Sequence, residues 1–120
     1  MLSFKKMTSS KAIYNSDWFL VMNGNQRVGE ISLINNESDV YISFLGIDKE
    51  FRRQGFATKV IEWVQETYQK PIAFYIAHGL SAEAFWQGYI EKGIAIQRKE
   101  RVFEIPYEEK KIEQEKEIEL

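Results

Sequence analysis

The sequence contains no cysteine and a single histidine, His78. The first absence excludes disulfide bonds, thiolate metal sites and a thiol nucleophile, and the second excludes a site built from several histidines of one chain. No apolar run approaches the roughly 20 residues that a membrane-spanning helix needs. The first residues also lack the apolar segment of a signal peptide. We therefore expect a cytoplasmic protein that binds no metal and no membrane.

The charge is almost balanced, with 16 Lys and Arg against 18 Asp and Glu and a net charge of −2. The excess of acid comes from the segment Glu108 to Glu119, which is rich in glutamate. A body so close to neutral lacks the clustered basic face that nucleic-acid binding requires, so we expect no nucleic-acid partner. With 44% hydrophobic residues in 120, the chain can build one core. We predict one domain over residues 1–107 and a charged, solvated tail over 108–120.

Alternating apolar residues in the first part of the chain predict an antiparallel meander. Asn23-Gly24-Asn25 lies between two apolar runs and is a strong hairpin signal, because both central residues of an Asn-Gly turn have positive φ. The polar segment Thr8 to Asp17 is compatible with a helical turn. The predicted strands lie around Leu2 and Phe4 and over Trp18 to Met22, Arg27 to Ile34 and Val40 to Ile47.

From Phe56 onward the apolar residues follow helical spacing instead. The elements predicted there are a helix from Phe56 to Tyr68, ended by Pro71; a strand buried on both faces from Ile72 to Ala77; a helix from Ala82 to Ile90, with Ser81 as N-cap and Gly93 as C′ residue; and a last strand from Ile94 to Ile105. The aromatic residues expected in the core are Trp18, Phe19, Trp63 and Phe74. This order predicts an α+β fold with a mixed, mostly antiparallel central sheet and a strand–helix–strand–helix crossover.

The segment from Ile47 to Thr58 joins a predicted strand to a predicted helix and contains Arg52, Arg53 and Gly55. Helix N-termini bind phosphates because their first backbone N–H groups are unpaired and carry positive dipole charge. Glycine lets a ligand approach the backbone closely, and the arginines add positive charge. The residues therefore indicate a pyrophosphate cradle. The alternative is an ordinary strand-to-helix turn with two solvated arginines.

Arg52-x-x-Gly55-x-Ala57, following a strand that ends at Ile47, resembles the acetyl-CoA motif of the GNAT superfamily, the GCN-related N-acetyltransferases. The order of elements from Trp18 to Ile105 is similar as well. The resemblance implies that backbone N–H groups hold the pyrophosphate. It also implies that the pantetheine arm lies in a splay, a gap where two neighbouring parallel strands diverge, between the strand from Val40 to Ile47 and the strand from Ile72 to Ala77. The cofactor-binding residues that it implies are Leu45, Gly46, Ile47, Arg52, Arg53, Gln54, Gly55, Phe56, Ala57, Thr58 and Ser81.

The resemblance also implies direct transfer of an acetyl group to an amine, with a tyrosine as the acid that protonates the departing thiolate. Tyr89, four residues before Gly93, has the spacing of that tyrosine. A half-buried aromatic residue of the core explains Tyr89 equally well. If the helix shifts, Trp86 takes the position of the tyrosine instead. Glu30 is our candidate general base. The other candidates for the base are Tyr41, Ser43 and His78.

The sequence departs from the family pattern in one region that bears on function. The family has two helices between its first two strands and uses them to wall the acceptor site, whereas only about ten polar residues fill that gap here, less than one average helix. A noncatalytic CoA-binding or protein-interaction module on the same fold is therefore the alternative to an N-acetyltransferase. The acceptor amine and the oligomeric state, a homodimer included, stay open.

Overall fold

The computed structural model describes residues 2–7, 16–76 and 83–108. Within these residues, the strands are β1 (Leu2–Lys6), β2 (Ser16–Asn23), β3 (Gln26–Asn35), β4 (Val40–Ile47), β5 (Ile72–Tyr75), β6 (Ile96–Lys99) and β7 (Val102–Ile105). The α-helices are α1 (Phe56–Tyr68) and α2 (Glu83–Glu91), and a 3-10 turn covers Lys49–Phe51. The strands form one sheet in the order β1-β2-β3-β4-β5-β7-β6. Only β4 and β5 pair in parallel, through the crossover that contains α1. The predicted α+β class with a mixed, mostly antiparallel sheet is confirmed.

The predicted hairpin between β2 and β3 is present, but its turn differs in detail. Asn23 pairs with Gln26, so the central residues are Gly24 and Asn25. Only Gly24 has positive φ, at +64°, which fits a type II′ turn, whose first central residue is usually glycine. The expectation of two positive φ values was wrong. β2 also begins at Ser16, inside the predicted helical turn; residues 8–15 of that turn lie outside the described residues.

Aromatic contacts attach both helices to the sheet. Trp63 of α1 stacks on Phe4 of β1 with 3.9 Å between ring centroids, and it meets Phe19 of β2 edge-on at 5.1 Å. Trp86 of α2 stacks on Phe74 of β5 at 4.0 Å. These ring contacts fix α1 over the first strands of the sheet and α2 over β5.

The strand register shows that both helices cover the same face. Phe19 lies opposite Ile31 of β3. Leu33, two residues further along β3, lies opposite Ile42 of β4, which in turn lies beside Phe74. Residues two apart in a strand point to the same side, so Phe19 and Phe74 share one face. We call it the helical face, and the other side of the sheet the opposite face.

The core lies between the helical face and the two helices. α1 contributes Val60, Ile61 and Val64, all buried, and its predicted bounds are confirmed. Of the four aromatic residues expected in the core, Phe74 is buried, and Phe19 and Trp63 pack against the buried cluster. The prediction for Trp18 was wrong, because the register places it opposite Ser32, one residue from Ile31 and hence on the opposite face.

Two predicted strands are shorter than expected. β5 ends at Tyr75, which is 49% exposed, so the strand is not buried on both faces along its predicted length; Ala77 lies outside the described residues. The single strand predicted from Ile94 to Ile105 is the hairpin β6–β7. The chain reverses at Glu100 and Arg101, and Arg101 adopts φ +65° to complete the two-residue loop.

The C-terminus of α2 confirms Gly93 as its C′ residue. Gly93 has φ +72°. Its N–H donates to the Ile90 carbonyl at 3.0 Å, and the N–H of Ile94 donates to the Tyr89 carbonyl at 2.9 Å. This pair of bonds is the Schellman motif, which satisfies carbonyls at a helix end. The predicted N-cap of the helix, Ser81, lies outside the described residues.

Candidate functional site

The two halves of β4 have different neighbours. In the described residues, the parallel ladder between β4 and β5 runs only from Val40 and Ile72 to Ile42 and Phe74. The second half of β4, Ser43 to Ile47, pairs with β3 but not with β5. Backbone groups on one side of that half are therefore open to a ligand, as a splay between the two strands requires.

A β-bulge marks the point where the strands separate. Leu33 of β3 lies opposite Ile42, but Ser32 lies opposite Phe44, so Ser43 is the extra residue on β4. Its hydroxyl oxygen lies 2.9 Å from the Ser32 hydroxyl oxygen and 3.1 Å from the Ser32 carbonyl oxygen. Ser32 is 2% exposed, so this contact satisfies a buried hydroxyl. The serine pair thus stabilises the bulge at the start of the splay.

The loop after β4 has a compact backbone. The Nε of Arg52 donates to the Ile47 carbonyl at 2.8 Å, which ties the loop to the end of the strand. Arg53 has φ +62° and Gly55 has φ +84°, so two residues are left-handed within three positions. Left-handed residues in a tight loop turn backbone N–H groups toward one side, as in anion-binding nests. The geometry of the loop therefore suits an anion.

The N-terminus of α1 has no side-chain cap and no acidic residue in its first turn. Its N-cap is Gly55, and the helical bonding starts with the N–H of Lys59 donating to the Gly55 carbonyl at 3.1 Å. The N–H groups of Phe56, Ala57 and Thr58 precede that bond and have no helical acceptor. A Cβ at Gly55 would meet nothing within 4 Å, so the space in front of these groups is open. The positive end of α1 is available to a phosphate.

A cleft of about 510 Å³ connects the open half of β4 to this helix end and reaches α2. Its lining residues are Leu45, Gly46, Ile47, Phe51, Arg52, Arg53, Gly55, Phe56, Ala57, Thr58, Ala84 and Phe85. The predicted cofactor residues all lie in this set except Gln54, whose side chain donates to the Glu50 carbonyl at 3.4 Å, and Ser81, which lies outside the described residues. Sequence reasoning missed Phe51, Ala84 and Phe85; Phe85 precedes Tyr89 by one helical turn, a spacing that could have indicated it.

Tyr89 lies next to this cleft. Its ring packs on Phe85 with 5.1 Å between centroids, and its phenol is hydrogen-bonded to Thr58 in the first turn of α1. Burial raises the pKa of the phenol above its ordinary value, Thr58 partly offsets that effect, and Glu62 adds to it. The Tyr89 phenol therefore keeps its proton near pH 7. Trp86, the alternative at this position, is 5% exposed and stacks in the core.

Glu30 lies on the other side of the sheet. It is opposite Gly46 in the β3–β4 register and adjacent to Ile31, so its side chain is on the opposite face. Its carboxylate accepts a hydrogen bond from Arg27 at 3.1 Å, and Arg27 also approaches Asp48 at 4.0 Å. The structure thus sets Glu30 beside the splay but engages it in an ion pair. His78 lies outside the described residues.

Two further findings concern the described part of the chain. Among residues 2–7, 16–76 and 83–108, no three His, Asp or Glu side chains come together as metal ligands would. In the same ranges, no helix is both long and apolar enough to cross a membrane.

Several solved structures have the same fold. The E. coli protein YhhK, solved with coenzyme A, is 8% identical, with a TM-score of 0.70 over 88% of this chain and 98% of its own. A GNAT family acetyltransferase from Elizabethkingia anophelis, solved with acetyl-CoA, is 10% identical, with a TM-score of 0.61 over 82% of this chain and 78% of its own. A GNAT family acetyltransferase from Staphylococcus aureus is 20% identical, with a TM-score of 0.57 over 78% of this chain and 68% of its own.

The sequence itself carries the family assignment. A comparison with curated proteins finds no match. The family model described as the acetyltransferase (GNAT) domain matches residues 3–104, which include the whole β4–α1 segment and α2. On that match the chain belongs to the GNAT acetyltransferase family.

Proposed function

We propose that this protein transfers an acetyl group from acetyl-CoA to a primary amine by direct attack on the thioester. The observation that carries the proposal is the single cleft that joins the open half of β4 to the uncapped N-terminus of α1. A coenzyme A molecule needs both features at once, because its pyrophosphate is a dianion and its pantetheine arm carries amides. Helix N-termini bind the first kind of group, and unpaired strand backbone binds the second.

In this proposal the N–H groups of Phe56, Ala57 and Thr58 hold the pyrophosphate. Arg53 contributes positive charge from the loop. Arg52 has its Nε engaged by the Ile47 carbonyl, so it holds the loop to the strand and adds its charge at the edge of the cleft. The pantetheine amides pair with Leu45 to Ile47, the half of β4 that β5 leaves free. The two neighbours solved with coenzyme A or acetyl-CoA support this ligand.

The chemical step needs three groups. The amine nitrogen attacks the thioester carbon, and the oxyanion that forms is stabilised by a free N–H of the splayed strand. The intermediate then breaks its carbon–sulfur bond, and the Tyr89 phenol protonates the departing thiolate. The raised pKa of Tyr89 suits this role, because the phenol still carries its proton at neutral pH. Before the attack the ammonium gives one proton to a base, for which Glu30 is our candidate, and the second proton that the nitrogen loses restores the Tyr89 phenol.

One observation favours a second function, a noncatalytic CoA-binding module on the same fold. Glu30, the candidate base, is in an ion pair with Arg27. Arg27 then competes with the amine for this carboxylate, because its guanidinium already holds Oε2 and leaves Oε1 as the oxygen that would take the proton. A chain that binds acetyl-CoA without a working base would hold the ligand and transfer nothing.

Thermal unfolding with and without acetyl-CoA, followed by an amine acetylation assay, separates these functions. Acetyl-CoA at 100 times its dissociation constant should add about 2.7 kcal/mol to the free energy of unfolding. Stabilisation together with acetylated product supports the transferase. Stabilisation without transfer to any amine supports the binding module, and no shift at millimolar acetyl-CoA rejects both.

A further inference from the structure

In the part of the chain that the structure describes, neither α1 nor α2 covers the opposite-face side of the splay between β4 and β5. α1 and α2 both pack on the helical face, and the cleft that we assign to acetyl-CoA is bounded by them. An acceptor that is to reach the thioester must therefore come from the opposite face. The residues at that mouth of the splay determine which amine fits.

Phe44 lies on the β4 side of this mouth. Its row in the sheet is Trp18, Ser32 and Phe44, which lies on the opposite face, and it is 46% exposed. Its ring centroid is 5.9 Å from that of Trp18. The ring also folds over Gly46, since a Cβ built there would lie 2.7 Å from Phe44 Cζ. An exposed ring thus covers the open half of β4 from the side opposite the helices.

Tyr75 lies on the β5 side of the mouth. It follows Phe74, which faces the helices, so its own side chain points to the opposite face, and it is 49% exposed. β5 carries Tyr75 just beyond the last residue pair that it forms with β4, Ile42 and Phe74. The two strands that bound the splay thus each present an exposed aromatic side chain on the same face.

Two carboxylates on the opposite face are paired with arginines. Glu30 accepts from Arg27 at 3.1 Å. Glu104, which lies beside Ala73 in the register and so also on this face, accepts from Arg98 at 2.6 Å. Aromatic faces attract one ammonium group and the apolar body attached to it. A polycation would bring further positive charges, and it would compete for these two carboxylates with the arginines that already pair with them.

We propose that the acceptor is a primary amine with one positive charge on a flat apolar body, such as an arylalkylamine, and that Phe44 and Tyr75 hold it at the opposite-face mouth of the splay. This inference rests on the proposed acetyl transfer and names the class of its acceptor. Polyamines and polybasic peptides should bind less tightly, because both carboxylates already pair with arginines.

The test measures binding, so that it does not depend on turnover. Phenethylamine, spermidine, ethylamine and 2-phenylethanol are titrated by calorimetry into the protein with and without saturating coenzyme A. Phenethylamine should bind about tenfold or more tightly than each of the others, since two aromatic faces each contribute a few-fold to cation affinity. Spermidine or ethylamine binding as tightly as phenethylamine would overturn the proposal, as would equal binding of the uncharged alcohol.

Two variants locate the site. Phe44→Ala and Tyr75→Ala should each weaken phenethylamine binding at least several-fold. Phe44→Leu keeps an apolar side chain without the aromatic ring, so it serves if the alanine variant fails to fold. It should lose the preference for phenethylamine over the other three compounds. The matched control is Ile96→Ala, because Ile96 is 47% exposed and lies beside Glu104 on the same face, away from the splay.

Some outcomes contradict the site directly. An equal loss in Ile96→Ala would show that the whole face, not the splay, binds amines. A wild-type dimer in light scattering that Phe44→Ala or Tyr75→Ala converts to monomer would show that this face joins two copies of the chain. If coenzyme A binds but the amines bind without selectivity, this inference alone is rejected. If coenzyme A does not bind, the proposed function is rejected, and the titration of the free protein still measures the selectivity for amines.

Discussion

The β4–α1 segment and helix α2 meet at the same cleft but differ in how they contribute to it. From Leu45 to Thr58 the contribution is mostly backbone: an open strand half, left-handed residues and an uncapped helix end. From α2 it is side chains, with Phe85 lining the cleft and Tyr89 hydrogen-bonded across to Thr58.

The difference predicts that the two regions have different roles in the proposed reaction. Backbone N–H groups can bind a phosphate or an amide in any ligand of the right shape, so we expect the β4–α1 segment to determine the affinity for acetyl-CoA. In the proposed reaction the half-buried phenol of Tyr89 adds little affinity but supplies a proton, so we expect α2 to determine the rate. Substitutions in the two regions should therefore separate binding from turnover.

The largest effect is expected for Tyr89→Phe. Positioned proton transfer contributes about 10² to 10⁴ in rate, so turnover should fall by that factor while acetyl-CoA affinity is unchanged, since the ring and its packing on Phe85 remain. Steady-state acetylation together with calorimetric titration measures both quantities. A wild-type rate would remove Tyr89 from the mechanism and leave it a core aromatic.

Tyr68→Phe is the matched control for that change. Tyr68 is also a partly buried phenol whose pKa burial raises, but it lies at the end of α1 against Trp63, and its loss should not alter the rate. The pH profile adds an independent check. Because the pKa of Tyr89 lies above its ordinary 10.0, the acid form persists through neutral pH, and a rate that depends on it should decline only above pH 10.

Gly55→Asp should have the next largest effect, on affinity. A carboxylate at the N-cap places negative charge where the pyrophosphate must approach, and repulsion of several kcal/mol corresponds to a loss of about 100-fold or more. Gly24→Asp is the control, because Gly24 also has positive φ and open space around it but lies in the β2–β3 turn. Equal loss in both variants would mean that strain, not phosphate repulsion, is responsible.

Ser43→Ala should cost stability at the point where β4 leaves β5. It leaves the buried Ser32 hydroxyl without its side-chain partner, and we expect the free energy of unfolding to fall by about 1–3 kcal/mol. The double variant Ser32→Ala/Ser43→Ala should recover part of that loss, because no hydroxyl is then left unpaired. Urea denaturation measures the cycle; additive losses would show that the two hydroxyls act independently.

The smallest effect is expected from deleting residues 108–120, the predicted charged tail. The described cleft is lined by residues between Leu45 and Phe85, so acetyl-CoA affinity should match that of the full chain. Calorimetric titration of the shortened chain measures it. A weaker complex would assign the tail a role in the site and would replace the division at residue 107.

The sequence was most informative where local rules determine the structure. The change of apolar spacing at Phe56 marked the start of α1, and Gly55 marked the loop, because helix periodicity and positive φ depend on nearby residues. The Schellman glycine of α2, Gly93, was predictable for the same reason.

Features that depend on other strands were not predictable. The bulge at Ser43 depends on the register with β3, and a serine in a strand does not indicate it. The β6–β7 hairpin turns on Arg101, a non-glycine residue with positive φ, so composition gave no signal. Trp18 lies on the opposite face because it is adjacent in β2 to Phe19, which faces the helices. The unbroken apolar run from Trp18 to Met22 does not show which of its residues face the core.

The most direct test of the account is an NMR titration of the ¹⁵N-labelled protein with acetyl-CoA, because it observes the backbone groups that the proposal names. The largest amide shifts should fall on Gly55 to Thr58 and on Leu45 to Ile47, with saturation. Tyr89 should report the ligand through its neighbour Thr58. Saturable shifts confined to another surface, or none at millimolar acetyl-CoA, would contradict the claim that this cleft binds the acetyl donor.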